Sequence, residues 1–292
     1  MADRIDVRGL LRKHGLRAKR SWSQSFLVDR DVIEQIGAAA DLDAGQPVVE
    51  LGAGLGALTA VLARESGRVV AVERDRDLAG VLRSEFAGDP GVEVLEANAA
   101  RMDWASLVAR LGQPPVVVGN LPYHMASQIL FDLLDAGDRL DRWLLMVQRE
   151  MAVRMAADPG SRDYGVLSVQ LQLRAEVEPV LDVPPEAFMP RPRVQSRVVR
   201  CRPLPRPRVA VRRPELLQRL VRGVFSQRRK TIRNGLKACF GRVLAAAELD
   251  AALADSGIAP KLRPEDLSLE RFAALADALA ARLEQVDGGG HQ

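Results

Sequence analysis

The chain has 292 residues, of which 47% are hydrophobic, and a formal net charge of +4, which suits one large domain or two smaller ones. No apolar run is long enough for a transmembrane helix, and the N-terminal residues are too polar for a signal peptide. Two cysteines, Cys201 and Cys239, fit neither a disulfide framework nor a metal site, so a metal-free protein in a reducing cytoplasm is expected.

Short apolar runs alternate with helical patterns over the first half of the chain. Strands are predicted at 47–52, 68–73, 92–97, 115–120 and 143–148. Helical spacing occurs between them, at 56–64, 76–86, 103–111 and 125–135. This alternation predicts an α/β fold, with a parallel sheet covered by helices on both faces.

The second half of the chain changes character after a proline-rich basic stretch. Two more strands, at 176–184 and 195–203, could form an antiparallel edge of the sheet. The stretch RCRPLPRPRVAVRRP that follows has the composition of a linker. Beyond it, apolar spacing predicts helices at 214–226, 228–240, 243–255 and 268–284. The predicted domains are therefore an α/β domain over 1–205 and a small helical domain over 206–292.

A glycine-rich turn follows the first predicted strand. Gly52, Gly54 and Gly56 satisfy the spacing G-x-G-x-x-A, which lets a ligand approach the backbone and a helix N-terminus. Glu73 ends the next strand about 20 residues later, where an acid is placed to bind ribose hydroxyls. Asn98 ends the third strand and could bind an adenine edge, or it could simply cap a turn. The turn predicts an adenosine-bearing cofactor without separating NAD from others.

The fourth strand ends in an unusual sequence, Asn120-Leu121-Pro122-Tyr123. Ligands of open α/β sheets bind at the carboxyl ends of the strands, so Asn120 is expected to face the same site as the glycines. Pro122 removes a backbone donor and leaves carbonyl acceptors available, and Tyr123 offers a ring on which a base could stack. Two acceptors and an aromatic face suit the exocyclic amine of a nucleobase. The alternative is a capped strand end with Tyr123 in the core.

Positive charge is concentrated in one region. Residues 187–242 carry 17 lysines and arginines against one acid, Glu215, so the rest of the chain is far less basic. A bias toward arginine would explain arginine in place of lysine, but not the near absence of acids. The asymmetry predicts a nucleic-acid partner. Within FSQRRKTIRNGL, the candidate RNA contacts are Arg228, Arg229, Lys230 and Arg233, with Arg229 and Arg233 expected on one helical face.

Taken together, these motifs resemble the ribosomal RNA adenine dimethyltransferase family. The resemblance runs through QSFLVD, VVELGAGLGALT, AVERD, GNLPYH, LLMVQREMAVRM, YGVLSVQ, PPEAFMPRPRVQSRVVR and FSQRRKTIRNGL. The last block resembles the branch that acts on the small ribosomal subunit. The resemblance implies a Rossmann-like sheet, S-adenosylmethionine as cofactor, and dimethylation of N6 on two adjacent adenosines in a hairpin loop near the 3′ end of the small-subunit RNA. A cytoplasmic monomer that acts in small-subunit biogenesis is expected.

The resemblance also assigns residues. It implies that the cofactor site is lined by Ser25, Leu27, Gly52, Gly54, Glu73, Asn98 and Asn120. It implies that the target adenine is held by Asn120, Leu121, Pro122 and Tyr123, with Phe188 stacking on the other face of the base. From its own context, Phe188 would be a core residue between prolines.

Two positions depart from the family pattern, which usually has Asn at Ser25 and Asp at Asn98. A neutral amide accepts less strongly than a carboxylate, so weaker cofactor binding is expected. These departures leave a second hypothesis open, a non-catalytic RNA-binding assembly factor with a degenerate cofactor site. A third, an NAD-dependent oxidoreductase, is allowed by the glycine turn but leaves the basic region unexplained.

Overall fold

The computed structural model describes residues 5–19, 24–121 and 125–289, with side chains through residue 285. The described residues form two compact units. The first falls within Met1–Ala152 and Glu176–Pro205, and the second within Val153–Ala175 and Arg206–Gln292. No helix among the described residues is long and apolar enough to cross a membrane.

The strands of the described residues form a two-stranded and a seven-stranded sheet. They are β1 Phe26–Leu27, β2 Val48–Leu51, β3 Val69–Glu73, β4 Val92–Glu96, β5 Val116–Asn120, β6 Arg142–Gln148, β7 Ala175–Val183, β8 Phe188–Met189 and β9 Ser196–Pro203. The large sheet has the order β4-β3-β2-β5-β6-β9-β7. Its strands β4, β3, β2, β5 and β6 are parallel, and β9 runs antiparallel to β6.

The valine runs of the central strands fit their place in the middle of a parallel sheet. Every residue of β2 and β3 is buried, as expected for strands that are covered on both faces. The chain builds outward from β2 through β3 to β4, and then returns to place β5 on the other side of β2. Neighbouring parallel strands whose connections leave in opposite directions open a crevice at their carboxyl ends, which is where such sheets bind ligands.

Seven α-helices are described in the first unit, and three of them begin at an aspartate side-chain cap. They are α1 Val7–Lys13, α2 Arg30–Ala40, α3 Ala57–Ser66, α4 Arg76–Glu85, α5 Trp104–Leu111, α6 Ala126–Ala136 and α7 Arg149–Met155, which continues into the second unit. Asp29, Asp75 and Asp103 accept hydrogen bonds from backbone N–H groups in the first turns of α2, α4 and α5. The strands and helices predicted for this half are confirmed, whereas α1, α2, α7 and the short pair β1 and β8 were not predicted.

The second unit is helical, as the apolar spacing predicted. Its helices are α8 Val166–Arg174, α9 Pro214–Ser226, α10 Ile232–Phe240, α11 Ala246–Asp255 and α12 Leu269–Gly289. Their apolar faces form one cluster that includes the fully buried Leu220, Phe240 and Phe272. Helices α9 and α10 pack closely because Gly235 has no side chain, and a Cβ there would lie 3.3 Å from Val224.

The predicted domains differ from these units in one segment. The boundary between Pro205 and Arg206 falls inside the predicted linker region, but Val153–Ala175 lies in the second unit rather than the first. The reason is packing, because Tyr164, Val169 and Leu173 belong to the apolar cluster of the helical unit. Sequence order alone gave no sign of this, since the segment lies between two strands of the sheet.

Candidate functional site

A cavity of the first unit opens at the carboxyl ends of β2, β3 and β5. It is lined by every residue predicted to bind a cofactor, namely Ser25, Leu27, Gly52, Gly54, Glu73, Asn98 and Asn120. Leu121 and Phe188 line it as well, whereas Pro122 and Tyr123 lie outside the described residues. The fold therefore brings together side chains that are up to 163 residues apart in the chain.

The glycine turn after β2 leaves room against the backbone. Gly52 and Gly54 have φ values of +77° and +59°, a backbone region that residues other than glycine rarely adopt. A Cβ at Gly52 would lie 3.4 Å from the carbonyl oxygen of Asn120, and one at Gly54 would lie 3.3 Å from Phe26. Side chains here would fill the cavity, so the glycines form a cradle that a ligand could enter.

The Glu73 carboxylate is fixed at the edge of this cradle. Its Oε2 accepts a hydrogen bond of 2.9 Å from the Gly54 N–H, and its Oε1 accepts one of 2.8 Å from the Asp75 N–H. Burial raises the pKa of Glu73, and the backbone hydrogen bonds oppose that rise. An acceptor held by two backbone donors, with lone pairs still available, can bind ribose hydroxyls without reorganising.

A second buried carboxyl group, Glu50, was missed by the sequence reasoning. It lies on β2, is only 3% exposed and lines the same cavity. The Thr59 hydroxyl donates a hydrogen bond to its Oε2. Burial raises the pKa of Glu50 to about 8, with a further contribution from the negative charge of Glu73. The available signal was a lone acid within an otherwise apolar strand, two residues before the first glycine.

Asn98 is engaged by the backbone, as the alternative interpretation of this residue predicted. Its Oδ1 accepts a hydrogen bond of 3.1 Å from the Ala100 N–H and caps the short 3-10 turn Ala99–Arg101. The same side chain also lines the cavity. A capped turn and an adenine contact are therefore compatible, because an amide oxygen has two lone pairs and the amide nitrogen remains a donor.

Asn120 is oriented by the segment that contains β1. Its Nδ2 donates a hydrogen bond of 3.2 Å to the carbonyl oxygen of Ser25. Because this bond uses the amide nitrogen, Oδ1 remains available to accept a hydrogen bond from another group. The contact uses the backbone of Ser25, so it does not depend on which side chain stands there. The Ser25 hydroxyl donates instead to the carbonyl oxygen of Pro190.

Leu121 and Phe188 support this region from the protein interior. The Leu121 N–H donates to the Met146 carbonyl oxygen at 3.2 Å, which extends the pairing of β5 with β6. Phe188 lies opposite Leu27 in the β1–β8 pair and is 4% exposed. It belongs to the apolar core and also lines the cavity. Phe188 can therefore be a core residue and still contact a ligand in the cavity.

The candidate RNA residues differ from one another in their surroundings. Arg229 and Arg233 were predicted to share one helical face, and this prediction is wrong. Helix α9 ends at Ser226 and α10 begins at Ile232 after the Thr231 cap, so Arg229 lies between the two helices. The chain turns here because the Thr231 side chain accepts from the N–H of Asn234 and starts a new helix.

Two of the four cations are already paired. Arg228 lies 2.8 Å from Glu265, and Arg233 forms a two-pronged pair with Asp250 at 2.5 and 2.7 Å. Acids distant in sequence thus supply the charges that the local stretch lacks. Arg229 and Lys230 are exposed and form no ion pair within the described part of the chain. These two are the cations available to a phosphate.

Comparison with known proteins gives a consistent result over nearly the whole chain. The family model described as ribosomal RNA adenine dimethylase matches residues 15–281. The "Ribosomal RNA small subunit methyltransferase A" of Anaeromyxobacter dehalogenans (strain 2CP-C) is 49% identical over 96% of this chain and 100% of its own length. The protein of the same name from Myxococcus xanthus (strain DK1622) is 44% identical over 93% and 94%, respectively.

Two solved structures support the predicted Rossmann-like methyltransferase fold. The 23S rRNA methyltransferase ErmE is 28% identical, with a TM-score of 0.67 over 87% of this chain and 99% of its own. A dimethyladenosine transferase from Plasmodium falciparum is 22% identical, with a TM-score of 0.71 over 90% and 98%. At 22% identity, the similarity to the Plasmodium falciparum structure supports the fold alone.

Proposed function

The chain belongs to the ribosomal RNA adenine dimethylase family, and we propose that it transfers methyl groups from S-adenosylmethionine to N6 of adenosines in small-subunit ribosomal RNA. One observation carries the proposal for this chain. The amide of Asn120 is held by its nitrogen in the same cavity that contains the glycine cradle and the fixed carboxylate of Glu73. The proposed acceptor for the amine would thus adjoin the proposed cofactor site.

The cavity has the features that this cofactor requires. The glycine cradle admits a ligand against the backbone of Gly52 and Gly54, and Glu73 would accept from the ribose hydroxyls. Asn98 would contact the adenine edge, with Ser25 and Leu27 on the opposite segment of chain. When bound, S-adenosylmethionine supplies a methyl group on a positively charged sulfur. No cluster of potential metal ligands occurs among the described residues.

The protein groups would make the adenine amine a better nucleophile toward the methyl group. The N6 lone pair is delocalised into the ring and is a poor nucleophile. Oδ1 of Asn120, together with a backbone carbonyl next to Pro122, would accept from the two N–H groups and favour a pyramidal nitrogen with a free lone pair. The proton leaves after transfer, so no general base is required. Most of the rate enhancement would come from proximity and orientation.

The target is proposed to be two adjacent adenosines in the hairpin loop near the 3′ end of the small-subunit RNA. Loop bases are more easily extruded into a pocket than paired bases. Tyr123 and Phe188 would stack on the extruded base, each such contact being worth about 1–3 kcal/mol. The choice of the small subunit is supported by relatives at 49% and 44% identity, against 28% for the 23S rRNA enzyme.

The direct test is transfer of labelled methyl from S-adenosylmethionine to unmethylated small ribosomal subunits, followed by hydrolysis to nucleosides. We expect label in N6,N6-dimethyladenosine. A parallel thermal shift should rise with S-adenosylmethionine and not with NAD, since only a ligand of the native state stabilises it. Binding to the subunit without any label would instead favour the non-catalytic assembly factor.

The exposed cations of the second unit give a separate prediction for RNA binding. The double substitution Arg229→Ala, Lys230→Ala should lower the slope of log affinity against log salt by about 1.5, because each phosphate contact contributes about 0.7–0.9. Affinity for subunits should be measured by filter binding from low to high salt.

Arg233→Ala is the matched control, because that guanidinium is already neutralised by Asp250. It should leave the slope within error of the wild type. An unchanged slope in the double variant, or an equal fall in the control, would place the RNA contact elsewhere.

A further inference from the structure

Residues that precede the first strand of the large sheet in the sequence form one side of the cavity. The N-terminal segment, residues 5–19 and 24–29 of the described chain, contributes Val7, Gln24, Ser25, Phe26 and Leu27 to the lining. Its apolar residues, including Val7 and Phe26, pack in a cluster with side chains of the glycine turn and of α4. The shape of the cavity therefore depends on where this segment is held.

A single buried acid on the α4 side holds the segment. Asp75 is 2% exposed and accepts hydrogen bonds of 2.8 Å from Lys19 Nζ and 3.0 Å from Gln24 Nε2. Burial opposes the negative charge, but the bonds from Lys19 and Gln24 outweigh it and keep the pKa of Asp75 below its ordinary value. The buried carboxylate is thus charged, and both of its oxygens accept hydrogen bonds from the N-terminal segment or from its own helix.

The two donors are also tied to each other. The Lys19 N–H donates to Gln24 Oε1 at 2.8 Å, so Lys19, Gln24 and Asp75 close a ring of hydrogen bonds. Gln24 lines the cavity and is followed by Ser25, whose carbonyl oxygen holds Asn120. Lys19 itself does not line the cavity.

Asp75 is connected to the opposite edge of the cavity as well. Its backbone N–H donates to Glu73 Oε1 at 2.8 Å. The same residue therefore fixes the carboxylate proposed to bind ribose and, through its side chain, the facing segment of chain. Its own main chain is held in place because Asp75 caps α4, accepting from the Asp77 N–H at 3.1 Å.

We propose that Asp75 is a positioning residue for the cofactor, which acts through Lys19 and Gln24 to set the N-terminal side of the cavity. The inference rests on the proposed function, because it assumes that S-adenosylmethionine occupies this cavity. Loss of the anchor frees Gln24 from its position, while Ser25 stays held by its bond to Pro190 and by the adjoining β1–β8 pair. The sheet, the glycine turn and Glu73 also stay in place. Cofactor affinity then falls without a corresponding fall in the rate at saturating cofactor.

The variants are Lys19→Met and Asp75→Asn in the full-length chain. Lys19→Met removes the cation from a half-exposed side chain that does not touch the cavity, so its effect on the cofactor has to pass through its acid partners, the buried Asp75 and the exposed Asp77, which lies 3.1 Å away. Asp75→Asn keeps an N-cap of equal quality for α4 but loses the charge and one acceptor. Each should weaken binding of S-adenosylhomocysteine, measured by titration calorimetry, by about tenfold. The double variant should be no weaker than the weaker single variant.

Lys13→Met is the matched control. Lys13 lies on the same N-terminal segment and pairs with Glu85 of α4 at 2.9 Å, but neither residue lines the cavity. It should leave the dissociation constant within about twofold of wild type. Michaelis constants for S-adenosylmethionine should follow the dissociation constants, with kcat unchanged.

The outcomes separate the two proposals. A wild-type chain that does not bind S-adenosylhomocysteine overturns the proposed function. A wild-type chain that binds, with Lys19→Met and Asp75→Asn binding equally well, overturns the role of Asp75 alone. Lower melting temperatures with unchanged dissociation constants would also overturn it, because that pattern identifies a purely structural ion pair. Additive losses in the double variant would show that the two residues do not act as one anchor.

Discussion

Replacing Asn120 by alanine is expected to reduce methyl transfer to small ribosomal subunits by at least about 10²–10³-fold, the loss seen when one pre-positioned polar group of an active site is removed. The amide is placed at the end of β5 and oriented through its nitrogen by Ser25, so alanine removes the acceptor without disturbing the strand. The proposed RNA contacts Arg229 and Lys230 lie in the other unit. RNA affinity should therefore remain within about threefold of wild type.

Asn120→Asp sharpens the test because it keeps an oxygen acceptor and loses the donor to the Ser25 carbonyl. A carboxylate oxygen facing that carbonyl is repelled, so the side chain should turn away and most of the activity should be lost. Single-turnover rates and subunit binding, measured on the same preparations, separate chemistry from affinity. If RNA binding fell as far as the rate did, Asn120 would be a binding or folding residue rather than a residue that acts on the amine.

The position of Asn120 was predictable because it depends on a rule of topology. Hydrophobic runs located β2, β3 and β5, and carboxyl ends of parallel strands meet at one edge of a sheet. The residues that follow these runs must therefore converge, and Gly52, Glu73 and Asn120 do line one cavity.

Contacts between distant segments were not predictable in this way. The pairing of Arg233 with Asp250 depends on how α10 packs against α11, and the anchoring of Lys19 by Asp75 depends on how the N-terminal segment crosses α4. Neither contact leaves a periodic signal in the sequence. A count of charges along the chain therefore overstated how many cations of the basic stretch are available to RNA.

Glu50 illustrates a third case, in which the residue is visible in the sequence but its protonation state is not. The folded chain holds this carboxyl with a pKa of about 8, whereas its ordinary value is 4.5. Between these two values the folded protein binds more protons than the unfolded chain. Stability therefore falls as the pH rises through this window, and it levels off above the folded pKa.

Glu50→Gln should abolish that decline, because glutamine resembles the neutral acid and can still accept from Thr59. In urea unfolding, the variant should match the wild type near pH 5 and exceed its free energy of unfolding by about 3–5 kcal/mol at pH 9. Glu96→Gln, which changes an exposed acid on β4 of the same sheet, is the matched control and should leave the pH dependence unchanged. Parallel curves for wild type and Glu50→Gln across pH 5–9 would mean that Glu50 is charged in the folded protein, and that water or a cation reaches the floor of the cavity.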